Sequence, residues 1–188
     1  MSRYSWVENI SQAQADGTAL ASSTVLTSLL PSGSRITLPA GFFDVPGRAL
    51  RVVATGRIST LASTPGALSM QFRLGSVAVF SSGSMTLNTT AQTNATWMLD
   101  LVLVCRSTGT GTSATLMGVG KWASRAVVGS GASGSTGVGT LLLPDTAPVV
   151  GTGFDSTASQ IIDLLAQWGT SNASNSIQLH TFSLEAMN

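Results

Sequence analysis

Two stretches of strict period-two patterning constrain this chain more than any other feature. Leu50, Val52, Ala54 and Ile58 fall on one face with Gly56 among them, while Arg51, Thr55 and Arg57 fall on the other. Leu68, Met70, Phe72 and Leu74 alternate in the same way with Ser69, Gln71 and Arg73. Side chains of a strand point to opposite faces in turn, so both stretches predict strands with one buried face. Gly75-Ser76 then predicts a tight hairpin into Val77 to Phe80.

The rest of the chain from Thr24 onward has the same texture of short apolar runs separated by Gly, Pro and Ser. Trp97 to Cys105 is apolar on both faces except at Asp100, which predicts a central strand covered on both sides. Ala114 to Trp122 resumes after Gly109-Thr110-Gly111 as its hairpin partner. Ile161 to Trp168 and Ile177 to Ala186 are the last two strands. Ser159 to Gln167 also carries a helical stripe, Ile162, Leu165 and Ala166, but the β-branched residues and the run into Trp168 favour strand. Roughly eight to ten short strands in one chain predict an all-β fold, an antiparallel β-sandwich of jelly-roll-like form. At 188 residues it is expected to be one domain.

Residues 1–23 read differently. They are polar, rich in Ala, Ser and Gln, and weakly periodic, so the expectation is an N-terminal arm with a short helical turn near Val7 to Ala15. The sandwich is then residues 24–188. Gly129 to Gly139 is low-complexity and too glycine-rich for an interior strand, which predicts an exposed loop.

Charge narrows the function. Charged residues make up 9% of the chain and the net charge is +1, against about 25% charged residues in an ordinary soluble domain. So few ions on a free monomer favour precipitation. A surface covered by neighbours tolerates them, because interface cores are depleted in charge. The basic residues Arg3, Arg35, Arg48, Arg51, Arg57, Arg73, Arg106, Lys121 and Arg125 are scattered. That pattern argues against nucleic acid as a partner, which needs clustered cations against phosphates. No stretch reaches the ~20 apolar residues of a membrane helix. Tyr4, Trp6, Trp97, Trp122 and Trp168 are too few for the two aromatic girdles of a transmembrane barrel, so no membrane partner is expected. The start of the chain lacks the apolar segment of a secretory signal, so synthesis and use in the cytosol or in a particle is the expectation.

Catalytic chemistry finds no foothold. His180 is the only histidine and sits in a strand pattern that groups it with Gln178, Phe182 and Leu184, a setting for a satisfied strand histidine. No serine has glycine at both flanking positions of a nucleophile elbow. Cys105 is the single cysteine, follows Leu101 to Val104, and reads as a small buried hydrophobe. One His and one Cys do not make a zinc site, and alternating Asp/Asn calcium loops are absent from the sequence. Asp16, Asp44, Asp100, Asp145, Asp155 and Asp163 are far apart, with Glu8 and Glu185 near the ends. Two of them meeting in space as a glycosidase pair is one reading. Turn formers such as Asp44 before Pro46-Gly47 and Asp145 after Pro144 are the better one. Gly109-Thr110-Gly111 and Gly151-Thr152-Gly153 lack the rest of any phosphate-binding pattern. Sequons at Asn9, Asn88, Asn94 and Asn172 are expected by chance in this composition. The expectation is therefore no catalytic, cofactor-binding or metal-binding residues, no cofactor, and no enzyme activity.

Several stretches carry a family resemblance: Arg35 to Phe43, Gly56 to Thr60 with Thr64-Pro65-Gly66, Met85 to Thr90, Gly111 to Met117, and Gly153 to Thr157. Through them, Leu20 to Asn188 resembles small structural proteins of tailed bacteriophages and prophages. The resemblance implies a virion protein with a jelly-roll-like sandwich, associating as a homotrimer. It leaves head decoration, head fibre and tail attachment open. A capsid decoration or auxiliary protein attached to the major capsid protein or another virion protein is the leading expectation, with Met1 to Ala21 as the contact segment because an extended arm of that length can reach a neighbouring shell. Its motifs are strand and turn texture, so they transfer no site residues. The alternative is a tail or fibre module binding host carbohydrate, for which Trp6, Trp122 and Trp168 are the candidate aromatics.

Overall fold

The computed structural model describes residues 7–129 and 139–187. In chain order the strands are β1 (Val7–Gln12), β2 (Leu20–Ala21), β3 (Thr27–Ser28), β4 (Thr37–Leu38), β5 (Ala49–Thr60), β6 (Ala67–Leu74) and β7 (Val77–Ser81). They continue as β8 (Met85–Leu87), β9 (Gln92–Ser107), β10 (Thr115–Ala123), β11 (Val127–Gly129), β12 (Thr140–Leu143), β13 (Gln160–Trp168) and β14 (Ser176–Met187). The one helical element among the described residues is a single 3-10 turn, Ser32–Ser34.

These strands form two antiparallel sheets packed as a sandwich. The front sheet runs β1-β14-β5-β9-β10-β12, with β2 also on β14. The back sheet runs β11-β8-β6-β13-β3, with β4 on β13 and β7 on β6. The chain passes from front to back between β5 and β6 and returns between β8 and β9, and the last five strands alternate between sheets in the jelly-roll manner. Residues 144–154 close one flank. There Asp145 and Thr152 donate backbone hydrogen bonds to Ser82 and Ala78, while Gly151 donates to Leu116 and Phe154 exchanges two bonds with Ala114.

The alternating stretches behave as their pattern dictates. Leu50, Val52, Ala54 and Ile58 are buried, as are Leu68, Met70, Phe72 and Leu74 opposite them. Gly75 turns with φ 58°, and Leu74 pairs with Val77 across it. Ile161 to Trp168 lies in β13, so strand prevails there over the helical stripe. Burial of these two apolar faces against each other is the main stabilising term, at roughly 25 cal/mol per Å² removed from water.

Three expectations need correction. Residues 7–21 are not a free arm and hold no helical turn. β1 is the edge strand of the front sheet, and Leu20 is 5% exposed with its carbonyl accepting from Trp168 Nε1 at 3.1 Å. The boundary at residue 23 thus falls inside the sandwich, while residues 1–6 of the expected arm lie outside the described residues. The strand over Trp97 to Cys105 is central in its sheet but covered on one side only. Trp97, Leu99, Leu101, Leu103 and Cys105 are buried, whereas Met98, Val102 and Val104 line the outer surface. His180 does not share a face with Phe182 and Leu184. A bulge between Leu179 and Thr181 inserts it as an extra residue, so Phe182 and Leu184 turn inward while His180 stays half-exposed. The predicted glycine-rich loop, apart from its two ends, also lies outside the described residues.

Candidate interaction surface

The outer face of the front sheet is the surface on which the structure concentrates unusual chemistry. Two rows of facing residues cross it. One runs Val119, Val102, Arg51, Glu185 from β10 to β14. The next runs Lys121, Asp100, Val53, Ser183, with Leu142 of β12 beside Lys121. Strand alternation places all of these outward, because their neighbours along each strand fill the core. Leu142 is 73% exposed, Val119 48% and Met98 37%.

At the centre stand the ions. Arg51 reaches diagonally across the strand pair to Asp100 with a bidentate grip, Nε to Oδ1 at 3.0 Å and Nη2 to Oδ2 at 2.9 Å. Its Nη1 lies 3.8 Å from Glu185 Oε2. The hydrogen-bonding guanidinium holds the Asp100 carboxyl below the usual carboxylate range and raises Arg51 in turn. Asp100 and Glu185 thus meet at one guanidinium. A general acid needs the opposite shift, so Asp100 does not read as the acid of a glycosidase pair.

The other sequence candidates are placed as follows. His180 Nδ1 lies 2.9 Å from Asp16 Oδ1, at the bulge, where Gly17 also accepts from Gln178 Nε2 at 3.0 Å. Cys105 is a free, buried thiol whose pKa burial pushes up. Asp44 pairs with Arg48 at 3.3 Å rather than capping a turn, and Asp145 Oδ2 is buried without a hydrogen-bond partner among the described residues. The local cap falls instead at Asp155, which accepts from the Thr157 amide at 2.8 Å. Among the described residues no three His, Cys, Asp or Glu side chains group as metal ligands.

Trp122 and Trp168 are core residues, not sugar platforms. Both are fully buried, and Trp122 stacks on Trp97 at 4.9 Å between ring centroids. Trp6 lies outside the described residues. Among the described residues no Phe or Trp ring is exposed, and Phe42 is the most open, half-buried at the sandwich end. A cleft of about 280 Å³ opens beside β7 against residues 144–152, lined by glycines, small hydroxyl residues and apolar side chains such as Phe80 and Val149.

Fold and surface together define a class: an antiparallel β-sandwich whose front sheet turns outward a mixed face of exposed aliphatic side chains and paired ions. No family model matches the chain, and no curated protein matches it. Among solved structures it is similar to the winged bean acidic lectin complexed with methyl-α-D-galactose. That match has 8% identity and a TM-score of 0.36, covering 98% of this chain and 100% of the lectin. It is also similar to the CBM2 module of the evolved Dit of Lactobacillus casei phage J-1. There the identity is 12% and the TM-score 0.28, over 81% of this chain and 67% of the other. Likenesses of this size bear on neither ligand nor partner.

Proposed function

We propose that this chain is a non-enzymatic structural subunit of a tailed-bacteriophage particle, a head decoration or auxiliary protein that associates with copies of itself. It attaches to the major capsid protein or another virion protein, and its place of work is the virion. The observation that carries this reading is the outer face of the front sheet, where Leu142, Val119 and Met98 stand exposed around the ion-paired cluster of Arg51, Asp100 and Glu185. Scattered exposed hydrophobes are ordinary, but exposed apolar residues grouped around charges already paired within the chain, on a chain with 9% charged residues, suit a surface meant to be covered. The resemblance to phage structural proteins supplies the particle, and many weak contacts on a repeating shell supply the holding power. The carbohydrate reading has no exposed tryptophan to stand on among the described residues.

The test is particle association. An epitope-tagged chain, produced in its host during particle assembly, should sediment with intact particles at fixed stoichiometry, and gold labelling should place the tag on heads. A tag found wholly outside the particle fraction sinks the reading.

A further inference from the structure

We infer that the outer face of the front sheet is the contact between copies of this chain, packed against the same face of a second copy. The inference rests on the subunit reading above, and it names the surface and the partner.

Area comes first. Six strands about 4.8 Å apart, read over about seven paired rows of ~3.3 Å rise, span a plane of roughly 25 by 25 Å. That is about 600 Å² per copy and about 1,200 Å² for a pair, at the lower bound of specific interfaces. A sheet face is a natural shape for this, because two sheets stack face to face with their side chains interdigitating.

The ions are arranged for burial. An unpaired charge beneath an interface is strongly destabilising, whereas one already paired and hydrogen-bonded is tolerated. Arg51 and Asp100 satisfy each other bidentately within one chain before any partner arrives. Lys121 is the cation of this central cluster that makes no ion pair among the described residues. Glu185 is held only loosely, at 3.8 Å from Arg51.

Self-docking matches these two leftovers. The strand order places β10 and β14 symmetrically about the seam between β5 and β9. A two-fold axis parallel to the strands above that seam sets β10 of one copy over β14 of the other. Lys121 of each copy then lies over the strand that carries Glu185 of its mate, one row away. The same axis brings the two Arg51–Asp100 pairs next to each other, and each is already neutralised within its own chain by the bidentate contact.

Light scattering on the full chain after size exclusion tests this. Val119→Lys and Leu142→Lys put a charge on exposed positions of the face, and Val25→Lys puts one on an equally exposed apolar residue elsewhere, 68% open. Thermal melting reports whether each variant is folded. The expected result is a two-copy mass for the wild type and for Val25→Lys, with single copies for the two face variants at unchanged single-chain fold. Face variants that keep the wild-type mass overturn the surface and leave self-association standing. A three-copy mass that the face variants abolish overturns same-face pairing, since the face then docks on a different patch. Loss of association in Val25→Lys as well overturns it too, because any added charge then suffices. A wild type that stays single at millimolar concentration overturns the pairing, while particle sedimentation separately decides the virion reading.

Discussion

Trp97 and Trp122 lie stacked on neighbouring strands, ring centroids 4.9 Å apart and planes 9° from parallel, filling one end of the core beneath β9 and β10. The two differ in how their indole N–H groups are treated. Trp97 Nε1 lies 3.2 Å from both the Arg57 and the Gln178 carbonyls, joining three strands. Trp122 Nε1 is buried without a partner among the described residues.

That difference sets the first prediction. Trp122→Ala removes a fully buried ring and should cost about 3–5 kcal/mol. Trp122→Phe keeps most of the apolar contact and removes the orphaned donor, so it should cost about 1–2 kcal/mol less than the alanine change. Urea unfolding of the three proteins measures both. Equal costs for Phe and Ala would show that a ring at this position adds nothing to the packing against Trp97.

Gly56 sits where only a glycine fits. A Cβ built there meets the Gln178 carbonyl oxygen at 1.9 Å and the Trp97 ring at 2.9 Å. The obstacle is backbone of the paired strand β14, which cannot move without breaking the sheet. Gly56→Ala should therefore cost more than about 4 kcal/mol, a size reserved for a severe mechanism. Gly33, with nothing within 4 Å of a built Cβ, is the control. Gly33→Ala should stay within about 0.5 kcal/mol of wild type by thermal or chemical melting. A soluble, normally melting Gly56→Ala would contradict the close approach.

Residues 7–21 belong to the sandwich, so removing residues 1–21 should damage the fold itself. The deletion strips the edge strand β1, exposes Trp168 Nε1 by removing the Leu20 carbonyl, and uncovers the core at Leu20. Burial of one leucine and the lost strand pairing together are on the order of 4 kcal/mol. For a domain of this size that lowers the melting temperature by about 10 °C. A truncated chain melting with the wild type would restore the picture of a free arm.

These particulars show how far the sequence could be read. Leu50 to Ile58 and Leu68 to Leu74 were legible because each has one buried face, and alternation is then written into the residues. β1 was not, because Val7, Glu8, Asn9 and Gln12 all face solvent and only Ile10 and Ser11 turn inward, leaving no alternation. The bulge at His180 inserts one residue without any Gly or Pro to announce it, so alternation groups His180 with Phe182 and Leu184 although the structure separates them. The interaction surface was half legible. Asp100 interrupts an otherwise apolar run and Arg51 alternates with core residues, but only the register brings the two together. An apolar residue on the second face of β9 looks the same in sequence whether a layer of its own chain or a partner covers it.

Asp163 gives a pH prediction with a definite sign. It lies on the outer face of the back sheet, where Ser28 Oγ donates to it at 2.6 Å and Arg35 Nη1 stands at 3.7 Å. Arg73 is its register partner on β6 and turns its own Nε to Gln71. Burial of the carboxyl outweighs the help from Ser28 and Arg35 and raises its pKa above the ordinary 3.8. A raised pKa in the folded state means that folding favours the protonated acid, so the ionised form costs stability at neutral pH. The cost is fully present above the folded-state pKa and disappears as pH falls below 3.8. Asp163→Asn keeps the shape and an acceptor for Ser28 while removing the charge. It should therefore melt higher than wild type at neutral pH, and the gap should close as pH falls through the acidic range. Thermal melts at a series of pH values read this directly. An Asn variant that melts lower at neutral pH would show that the pairing with Arg35 and Ser28 outweighs the burial of the charge.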